Sequence, residues 1–341
     1  MKITEPTFDL DYSVLVKDVI NTGDLREPAR EGMPPTKAIF GTRIKVQNVS
    51  ERFPLLTTKK MGIKNVLTEL IWFLKGDTNI KYLVQNKCNI WNEDAYKYYK
   101  RICDFNKCTP FLTEEEFVDH IKNDRLTPTH ETVVDAKYHE LSGFEGNKYK
   151  LGDLGRVYGA CWDNMNGYEQ IKNLLKGIDT QPFSRYHVVS AWNPVNHKFV
   201  ALPPCHILFQ FYCYEKKGEK MLDVQFYMRS IDIGLGLPYN MASYSAMLVL
   251  FAGLTGRKAG NVIFIGGDTH IYENHEELLL DQVQREPSKI DAKLEWIGDV
   301  FKTGSETDIM HYIKNDLNVN DFVFSNYESH PAVPLTLSVG V

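Results

Sequence analysis

A cysteine that follows two prolines is the residue in this chain best placed for covalent chemistry. Cys205 comes directly after Pro203 and Pro204, which block a helix and regular strand pairing, and the apolar residues at 207, 209 and 211 then predict a half-buried strand. A thiol at such a junction is held rigidly and can still face a cleft. Because isolated cysteines are more often inert core thiols, a role as nucleophile needs support from neighbouring residues.

Four polar residues further along the chain give that support. Arg229, Ser230, Asp232 and Asn240 lie in one short span that glycine or proline interrupts at 234, 236 and 238. Such a span is typical of a binding loop and not of a core strand. We therefore predict a binding site that includes Cys205.

Glu69 is a second candidate, because it is the only acid in the apolar helix predicted from IKNVLTELIWFLKG. An ionised carboxylate in so apolar a segment is costly to bury, so it must be paired, carry a raised pKa or face water in a cleft. The spacing alone gives a structural acid and a catalytic acid equal weight.

The composition is that of an ordinary globular protein. Among 341 residues, 43% are hydrophobic and 12% aromatic, which is enough for a sizeable core in one large domain or two. The net charge of −5 comes without a long basic run, which argues against a general electrostatic surface for nucleic acid. We expect any bound phosphate to belong to a small ligand.

Cysteine usage and hydropathy predict a cytosolic protein. We find no charged leader before an apolar core at the N-terminus, and no uninterrupted apolar stretch that approaches about 18 residues. The six cysteines have no paired C-x-x-C spacing, which disfavours a zinc site or a disulfide framework and fits reduced thiols.

Several linked motifs resemble one enzyme family. LPPCH, MRSID, LGLPYNMASY and GGDTHIY are similar, in sequence and in order, to thymidylate synthases and their hydroxymethylase relatives, and the likeness runs from Ala38 to Pro331 apart from an insert near 96–150. The resemblance implies an α/β fold with a large mixed sheet backed by helices, a single catalytic domain over 1–341 and a homodimer. It also implies transfer of one carbon from 5,10-methylenetetrahydrofolate to C5 of a pyrimidine nucleotide, without a metal.

Two helices are predicted from spacing and capping signals. Apolar side chains recur at helical spacing over 8–22, up to Gly23. Inside the insert, which we expect to be a mostly surface subdomain, Thr113 and the acids after it predict a short helix over 113–123.

The resemblance also implies roles for residues at matching positions. Arg185 is expected to cross to the partner's site, whereas Arg30 is offset by one residue from its motif and is equally well explained as a solvated loop arginine. The implied catalytic residues are Cys205, Glu69, Tyr158, Asn240 and Asp232. Those implied for dUMP are Arg30, Arg185, Arg229, Ser230, Asn240, His270 and Tyr272, and those for the folate are Lys59, Ile90, Trp91, Asp232, Leu235, Tyr239 and Val341.

In the implied reaction, the thiolate of Cys205 adds to C6 of the pyrimidine and makes C5 nucleophilic. Arg229 stabilises the thiolate and shares the phosphate with other donors. Glu69 acts through ordered water on O4, and either Tyr158 or that water takes the C5 proton. Asp232 holds the pterin.

The base and the final product depend on different residues. The amide of Asn240 can donate to O4 and accept from N3–H, which matches uracil and predicts dUMP. Hydride then gives dTMP and water gives 5-hydroxymethyl-dUMP, and hydride transfer needs a dry, closed site. The departures from the synthase pattern are Asn92, Arg156, Cys161, Asp163, Tyr186 and a longer tail.

These departures lead us to predict a dUMP 5-hydroxymethylase, with 5-hydroxymethyl-dUMP and tetrahydrofolate as products. The alternative is a divergent thymidylate synthase that makes dTMP and dihydrofolate. A non-catalytic nucleotide-binding or folate-binding protein is the third hypothesis, which Cys205 beside Glu69, Tyr158 and Asn240 argues against, because binding alone needs no nucleophile.

Overall fold

The computed structural model describes residues 8–28, 32–106, 112–125, 132–133, 148–298 and 306–336. Two predicted site residues, Arg30 and Val341, lie outside these ranges. The strands are β1 (Asp24–Arg26), β2 (Thr36–Val46), β3 (Thr132–Val133), β4 (Lys148–Tyr149), β5 (Val188–Ser190), β6 (His206–Lys216), β7 (Glu219–Asp232), β8 (Lys258–Tyr272), β9 (Lys293–Trp296) and β10 (Phe322–Ser325). The α-helices are α1 (Phe8–Thr22), α2 (Ile63–Leu74), α3 (Lys81–Gln85), α4 (Asn92–Asn106), α5 (Glu114–Lys122), α6 (Tyr158–Asp163), α7 (Gln170–Thr180), α8 (Gly236–Leu254), α9 (Glu276–Gln282) and α10 (Glu306–His311).

A six-stranded sheet of order β1-β2-β8-β7-β6-β5 organises the fold. Its neighbouring strands are antiparallel except β7 and β8, which are parallel. The helix that joins these two strands, α8, packs on them as the crossover that a parallel pair requires. The predicted α/β fold with a large mixed sheet backed by helices is confirmed.

The helix α8 forms the centre of the core. Among the described residues it is the one helix long and apolar enough to cross a membrane by those two criteria, yet 78% of its most apolar window is buried inside the protein. It is apolar on all sides because it is surrounded by the sheet and by α2. Its length and hydropathy therefore describe a core helix.

The other side of the sheet, which we call the outer face, is partly open and carries apolar residues between polar ones such as Gln210 and Gln225. We define it by Val188, Leu208, Tyr212, Tyr227, Ile263 and Ile265. Tyr212 is 65% exposed and Val188 is 44% exposed, whereas alternate residues such as Phe209 and Phe226 are fully buried on the helix side. Polar residues are expected on the solvent face of such a sheet, so the exposed Tyr212 and Val188 are its apolar part.

The segment predicted as an insert contributes partly to the core. The helix predicted over 113–123 is present as α5, and Thr113 caps it with a reciprocal bond to Glu116. Phe117 and Ile121 of α5 are fully buried, and the ring of Phe117 stacks on Tyr99 at 5.3 Å. One side of α5 is thus packed on α4, and its other side is exposed. The status of the segment as a separate subdomain stays a prediction.

A buried carboxylate joins α1, whose helical prediction is confirmed, to the loop before α2. Asp9 is 5% exposed. It accepts hydrogen bonds from the backbone N–H and the hydroxyl groups of Thr57 and Thr58, at 2.8 to 3.1 Å. Four donors therefore depend on one side chain, and the loop 53–61 depends on α1 for its conformation.

We expect Asp9→Ala to lower the free energy of unfolding by roughly 3–5 kcal/mol, because several buried donors lose their acceptor. Urea unfolding followed by circular dichroism measures the change. The matched control is Asp18→Ala on the exposed side of α1, where the carboxylate accepts a hydrogen bond from Thr22, and we expect a change within about 0.5 kcal/mol. Equal effects for the two variants would contradict a role for Asp9 in holding the loop.

Candidate active site

The backbone at Cys205 is held by the neighbouring strand β7. The N–H of Arg229 donates to the carbonyl of Cys205 at 2.9 Å, and the pairing of β6 with β7 shifts register between His206 and Leu208. The thiol lies at the start of β6 and is partly exposed. The predicted junction between irregular chain and a strand is therefore present.

The guanidinium of Arg229 lies beside this thiol. Its Nη2 is 4.0 Å from Sγ of Cys205, and its Nε and Nη2 donate to the carbonyls of Pro204 and Pro203 at 2.8 and 3.1 Å. The group is also 5.6 Å from the ring centroid of Trp192, within cation–π range. These contacts fix a positive charge that favours a thiolate and leave N–H donors for an anion.

Aromatic side chains pack around the candidate nucleophile. The N–H of Cys205 donates to Oη of Tyr158 at 2.8 Å, and the Tyr158 ring stacks on His206 with centroids 4.0 Å apart. Nδ1 of His206 is 2.8 Å from Oη of Tyr244. Burial lowers the pKa of His206 to about 3, so its ring is neutral. Sequence analysis assigned no role to His206, although its position directly after the candidate nucleophile was a signal.

Tyr158 is the weaker of the two predicted acceptors for the C5 proton. Burial raises the pKa of its phenol well above the ordinary value of 10, and the nearby Cys205 raises it further. A phenol in this state keeps its proton at neutral pH. Its hydroxyl oxygen also already accepts the N–H of Cys205.

Glu69 on α2 has the properties of a proton-transfer group. Nε1–H of Trp91 donates to Oε1 of Glu69 at 2.8 Å. Burial raises the pKa of Glu69 to about 7, and the hydrogen bond from Trp91 opposes the rise. A carboxyl group that titrates near neutrality can both give and take a proton. The raised pKa considered from the sequence agrees with this environment.

Asp232 closes the turn that leads from β7 into α8. Its carboxylate accepts hydrogen bonds from the N–H groups of Gly234 at 2.8 Å and Leu235 at 3.1 Å. The carbonyl of Gly234 accepts a hydrogen bond from Nζ of Lys59 at 2.5 Å. Lys59 is 3% exposed, and burial lowers its pKa to about 8 against the opposing effect of Asp232. Lys59 therefore supports this turn, and the sequence did not predict that role. The contact of Lys59 with folate stays a prediction.

The first two turns of α8 present the residue predicted to select the base. Nδ2 of Asn240 donates to the carbonyl of Gly236 at 3.0 Å, which leaves its second N–H and its Oδ1 for a ligand. Asn240 and its neighbour Tyr239 are both partly exposed. This position is next to the Asp232 turn.

The parallel pairing of β7 and β8 brings the predicted nucleotide residues to one sheet edge. Ser230 pairs with Asp268, and Asp232 pairs with His270. The ring centroids of His270 and Tyr272 are 5.3 Å apart. Because parallel strands end at the same edge, the polar ends of both strands lie beside each other.

Sequence reasoning passed over a contact at this edge. Oδ1 of Asp268 lies 2.9 Å from Nδ1 of His270, and Oδ2 lies 2.5 Å from Nη1 of Arg26 on β1. Asp268 stands two residues before His270 in GGDTHIY. Side chains two positions apart on a strand lie on the same face, and this spacing was the signal in the sequence for their contact. Arg26 could not be paired with it from the sequence, because 242 positions separate the two.

Two other predicted site residues are exposed to solvent. Arg185 is exposed just before β5, where its carbonyl accepts a hydrogen bond from Nε2 of Gln210 at 3.5 Å. Ile90 is 43% exposed in the turn before α4. Among the described residues of a single chain, neither Arg185 nor Ile90 is seen in contact with Cys205.

Most departures from the family pattern make contacts away from the nucleophile. Nη2 of Arg156 donates to the carbonyl of Asn164, and Sγ of Cys161 lies 3.4 Å from the carbonyl of Arg156. Asp163 pairs with Nζ of Lys314 at 2.6 Å. Residues 156–164 are thus bonded within their own segment and to the C-terminal region.

Asn92 and Tyr186 differ from that group. Oδ1 of Asn92, directly after Trp91, is buried and has no hydrogen-bond partner among the described residues. Tyr186 is 91% exposed. Asn92 is therefore close to the site, whereas Tyr186 is on the surface.

Binding alone requires neither a thiol held next to an arginine nor a carboxyl group poised near neutrality. Fold and site together therefore fit the class of enzymes better than that of binding proteins. Among the described residues, we find no group of three or more His, Cys, Asp or Glu side chains that could hold a metal ion.

Comparison with known proteins identifies the family. The family model described as thymidylate synthase matches residues 10–339, so this chain belongs to the thymidylate synthase family. The protein is accordingly a one-carbon transferase, and methylenetetrahydrofolate is the one-carbon donor.

Relatives of similar length share this assignment. The chain is 38% identical to the thymidylate synthase of Phytoplasma mali over 94% of its own length and 96% of the relative's. It is 40% identical to that of Aster yellows witches'-broom phytoplasma over 92% and 90%. It is 36% identical to that of Staphylococcus haemolyticus over 98% and 99%.

The raised pKa of Glu69 predicts a pH-dependent difference between the protein and its Glu69→Gln variant. Burial disfavours the ionised form, so the parent should lose stability relative to the variant as pH rises from about 4.5 to about 7, by about 3 kcal/mol in total. Urea unfolding of both proteins at a series of pH values measures this.

Trp91→Phe provides the matched variant. It removes the Nε1–H that lowers the pKa of Glu69, so the carboxyl C=O infrared band of Glu69 should persist to higher pH than in the parent. Glu69→Gln identifies the band by its loss. A parent in which this band disappears near pH 4.5 would contradict the raised pKa.

Proposed function

We propose that this protein is a thymidylate synthase that converts dUMP and 5,10-methylenetetrahydrofolate to dTMP and dihydrofolate. The observation that carries the proposal is the thiol of Cys205 held 4.0 Å from the guanidinium of Arg229. The names of the similar proteins from phytoplasmas and Staphylococcus haemolyticus support the same product.

Each group at the site would have one task. Sγ of Cys205 forms a bond to C6 of uracil, and the electron pair of the C5–C6 double bond moves toward O4, so that C5 becomes nucleophilic. Arg229 and Ser230 bind the phosphate. Water bound at Glu69 would stabilise the charge on O4. After C5 has bonded to the one-carbon unit, this water would accept the C5 proton as the folate nitrogen leaves that unit, and Sγ would leave C6 as a thiolate when hydride reduces the unit to a methyl group.

The folate supplies the methylene carbon and the hydride that reduces it to a methyl group. The residues present fit such a ligand. Asp232 is partly exposed after its two backbone bonds, so its oxygens keep lone pairs for a pterin N–H. Leu235 and Tyr239 are partly exposed beside it, and Trp91 lies against Glu69.

Uracil is the base that Asn240 would select. With one N–H bonded to Gly236, the amide can still donate to O4 and accept from N3–H. Cytosine would present an amino group where Asn240 offers a donor. We therefore propose dUMP as the nucleotide.

The first prediction from the sequence, a dUMP 5-hydroxymethylase, is not confirmed, and the alternative is better supported. That prediction depended on Asn92, Arg156, Cys161, Asp163, Tyr186 and a longer tail, of which Arg156, Cys161 and Asp163 lie in one segment. For these three residues, the contacts of the segment with Asn164 and Lys314 give an explanation as local packing. They consequently give little reason to expect water in place of hydride.

We propose that the outer face is covered by a second copy of this chain. Its tyrosines and aliphatic residues form an apolar surface that a symmetric pair would bury. Arg185 borders this face, because its carbonyl bonds to Gln210 of β6. In such a dimer Arg185 would reach the phosphate in the partner's site.

We also propose that the enzyme works in the cytoplasm. The cysteines of the described residues are free thiols, namely Cys88, Cys103, Cys161, Cys205 and Cys213. Free thiols persist where the surroundings are reducing.

The product test uses dUMP and methylenetetrahydrofolate with nucleotide mass analysis and dihydrofolate absorbance. We expect dTMP and dihydrofolate in equal amounts. A hydroxymethyl nucleotide without dihydrofolate would restore the hydroxymethylase hypothesis.

Cys205→Ala should lose more than a thousandfold in turnover while dUMP affinity stays within about tenfold, because the thiol supplies the covalent bond and the arginines supply most of the ground-state binding.

Mixing two variants of low activity tests the shared site. Arg185→Ala should lower activity by about tenfold or more. A heterodimer of Arg185→Ala and Cys205→Ala has one complete site if Arg185 serves the partner. Subunit exchange should then return about a quarter of the parent activity from a random mixture. No gain on mixing, or a fully active monomer in sedimentation, would contradict the proposal.

A further inference from the structure

The indole of Trp192 lies beside the guanidinium of Arg229, close to the candidate nucleophile. Cζ of Arg229 is 5.6 Å from the centroid of the Trp192 ring, and Nη2 of Arg229 is 4.0 Å from Sγ of Cys205. Trp192 is 36% exposed although its side chain is large and mostly apolar. One cation is thus within reach of both an aromatic ring and a thiol.

We propose that Trp192 is a positioning residue that holds the guanidinium of Arg229 next to the thiol of Cys205. The position of Arg229 rests on contacts within the described chain, whereas its consequence for dTMP formation rests on the proposed function. Trp192 acts on the reaction through Arg229, and the inference requires no contact between the indole and either ligand.

The partners of Arg229 are neutral groups. Its Nε and Nη2 donate to the carbonyls of Pro204 and Pro203, and in the described part of the chain no carboxylate forms an ion pair with it. A carboxylate would cancel much of the positive field at Sγ and would compete with a phosphate. An aromatic ring attracts the cation without adding a negative charge. The charge of Arg229 therefore stays available to the thiolate and to an anionic ligand.

The backbone at Trp192 is tied to the strand that carries Cys205. The N–H of Ala191 donates to the carbonyl of Ile207 on β6 at 2.8 Å. The N–H of Trp192 donates to Oγ of Ser190 at 3.1 Å. Because Ile207 is only two residues after Cys205, the indole and the thiol are both attached to the same end of β6. The sheet thereby sets the place of the indole relative to Sγ.

His197 packs on the indole from the 3₁₀ turn Pro194–Phe199. The ring centroids of Trp192 and His197 are 4.1 Å apart, with 70° between the ring planes. Burial lowers the pKa of His197, and the positive charge of Arg229 lowers it further. The imidazole is therefore neutral at neutral pH, so it restricts the indole without repelling the guanidinium.

The reactivity of the Cys205 thiol tests the inference in the free protein. Iodoacetamide reacts with the thiolate, and mass spectrometry of the Cys205 peptide gives the alkylation rate at each pH. In Trp192→Leu we expect the midpoint of this pH profile to rise by about 0.5–1 pH unit, because the guanidinium is no longer held beside Sγ. The rate near pH 7 should fall by about three- to tenfold, whereas the rates above about pH 10 should equal those of the parent, since the thiol is ionised in both proteins.

Two further variants show whether the aromatic ring is responsible. Trp192→Phe keeps an aromatic face and should show less than about half of the shift. Trp192→Met has no ring and should show the same shift as Trp192→Leu, which keeps the test available if the leucine variant does not fold. Val195→Ala is the matched control, because Val195 is 60% exposed in the same 3₁₀ turn as His197. Its profile should match that of the parent.

A double-mutant cycle shows whether Trp192 acts through Arg229. In Arg229→Gln protein the cation is absent, so adding Trp192→Leu should raise the midpoint no further. An unchanged profile in Trp192→Leu would overturn the inference. So would a rate lowered equally at all pH values, which indicates changed access to the thiol, or a full second shift in the Arg229→Gln protein.

Turnover connects the inference to the reaction. We expect Trp192→Leu to lower kcat/KM for dUMP by about five- to thirtyfold, because Arg229 serves both the thiolate and the phosphate. Unchanged kcat/KM beside a shifted alkylation profile would overturn the consequence for the reaction. A parent that makes no dTMP would instead defeat the proposed function, and the alkylation profiles would still decide the role of Trp192, because they need neither nucleotide nor folate.

Discussion

The parallel pairing of β7 and β8 is the constraint on which the site depends. In a sheet where the other described neighbours of the six strands are antiparallel, this pair alone brings two strand ends of the same sense together. Arg229 to Asp232 and Asp268 to Tyr272 therefore reach one edge, and α8 begins from the same place. A different connection between β7 and β8 would move half of these groups to the opposite edge.

Burial shifts the pKa values of the ionisable groups around this edge in different directions. It raises the pKa of Glu69 to about 7, lowers that of Lys59 to about 8 and lowers that of His206 to about 3. The same loss of water disfavours charge in all three, so the acid gains protons and the bases lose them. One physical effect thus gives a carboxyl group suited to proton transfer and a neutral imidazole behind the nucleophile.

Local signals in the sequence predicted much of this. The prolines before Cys205, the lone acid Glu69 and the Thr113 cap each have a meaning within a few residues, and the family motifs ordered them along the chain. The contacts of Lys59 with Gly234 and of Arg26 with Asp268 join positions 175 and 242 residues apart, and no local pattern specifies such pairs. The partner of Asp163, Lys314, was likewise not visible in the motif, so the sequence alone did not indicate that Asp163 makes a local packing contact.

The loop that carries Lys59 is bonded by both ends of the described chain. Asp9 of α1 accepts from Thr57 and Thr58, Tyr327 donates to the carbonyl of Leu56 at 2.8 Å, and the N–H of His330 donates to that of Thr57 at 2.8 Å. During synthesis on the ribosome, the last of these partners emerges some 270 residues after the loop itself. The turn at Asp232 that Lys59 supports therefore reaches its final form only after Tyr327 and His330 have been synthesised, so chains truncated before these two residues would contain every predicted catalytic residue of the described chain and still lack an assembled site.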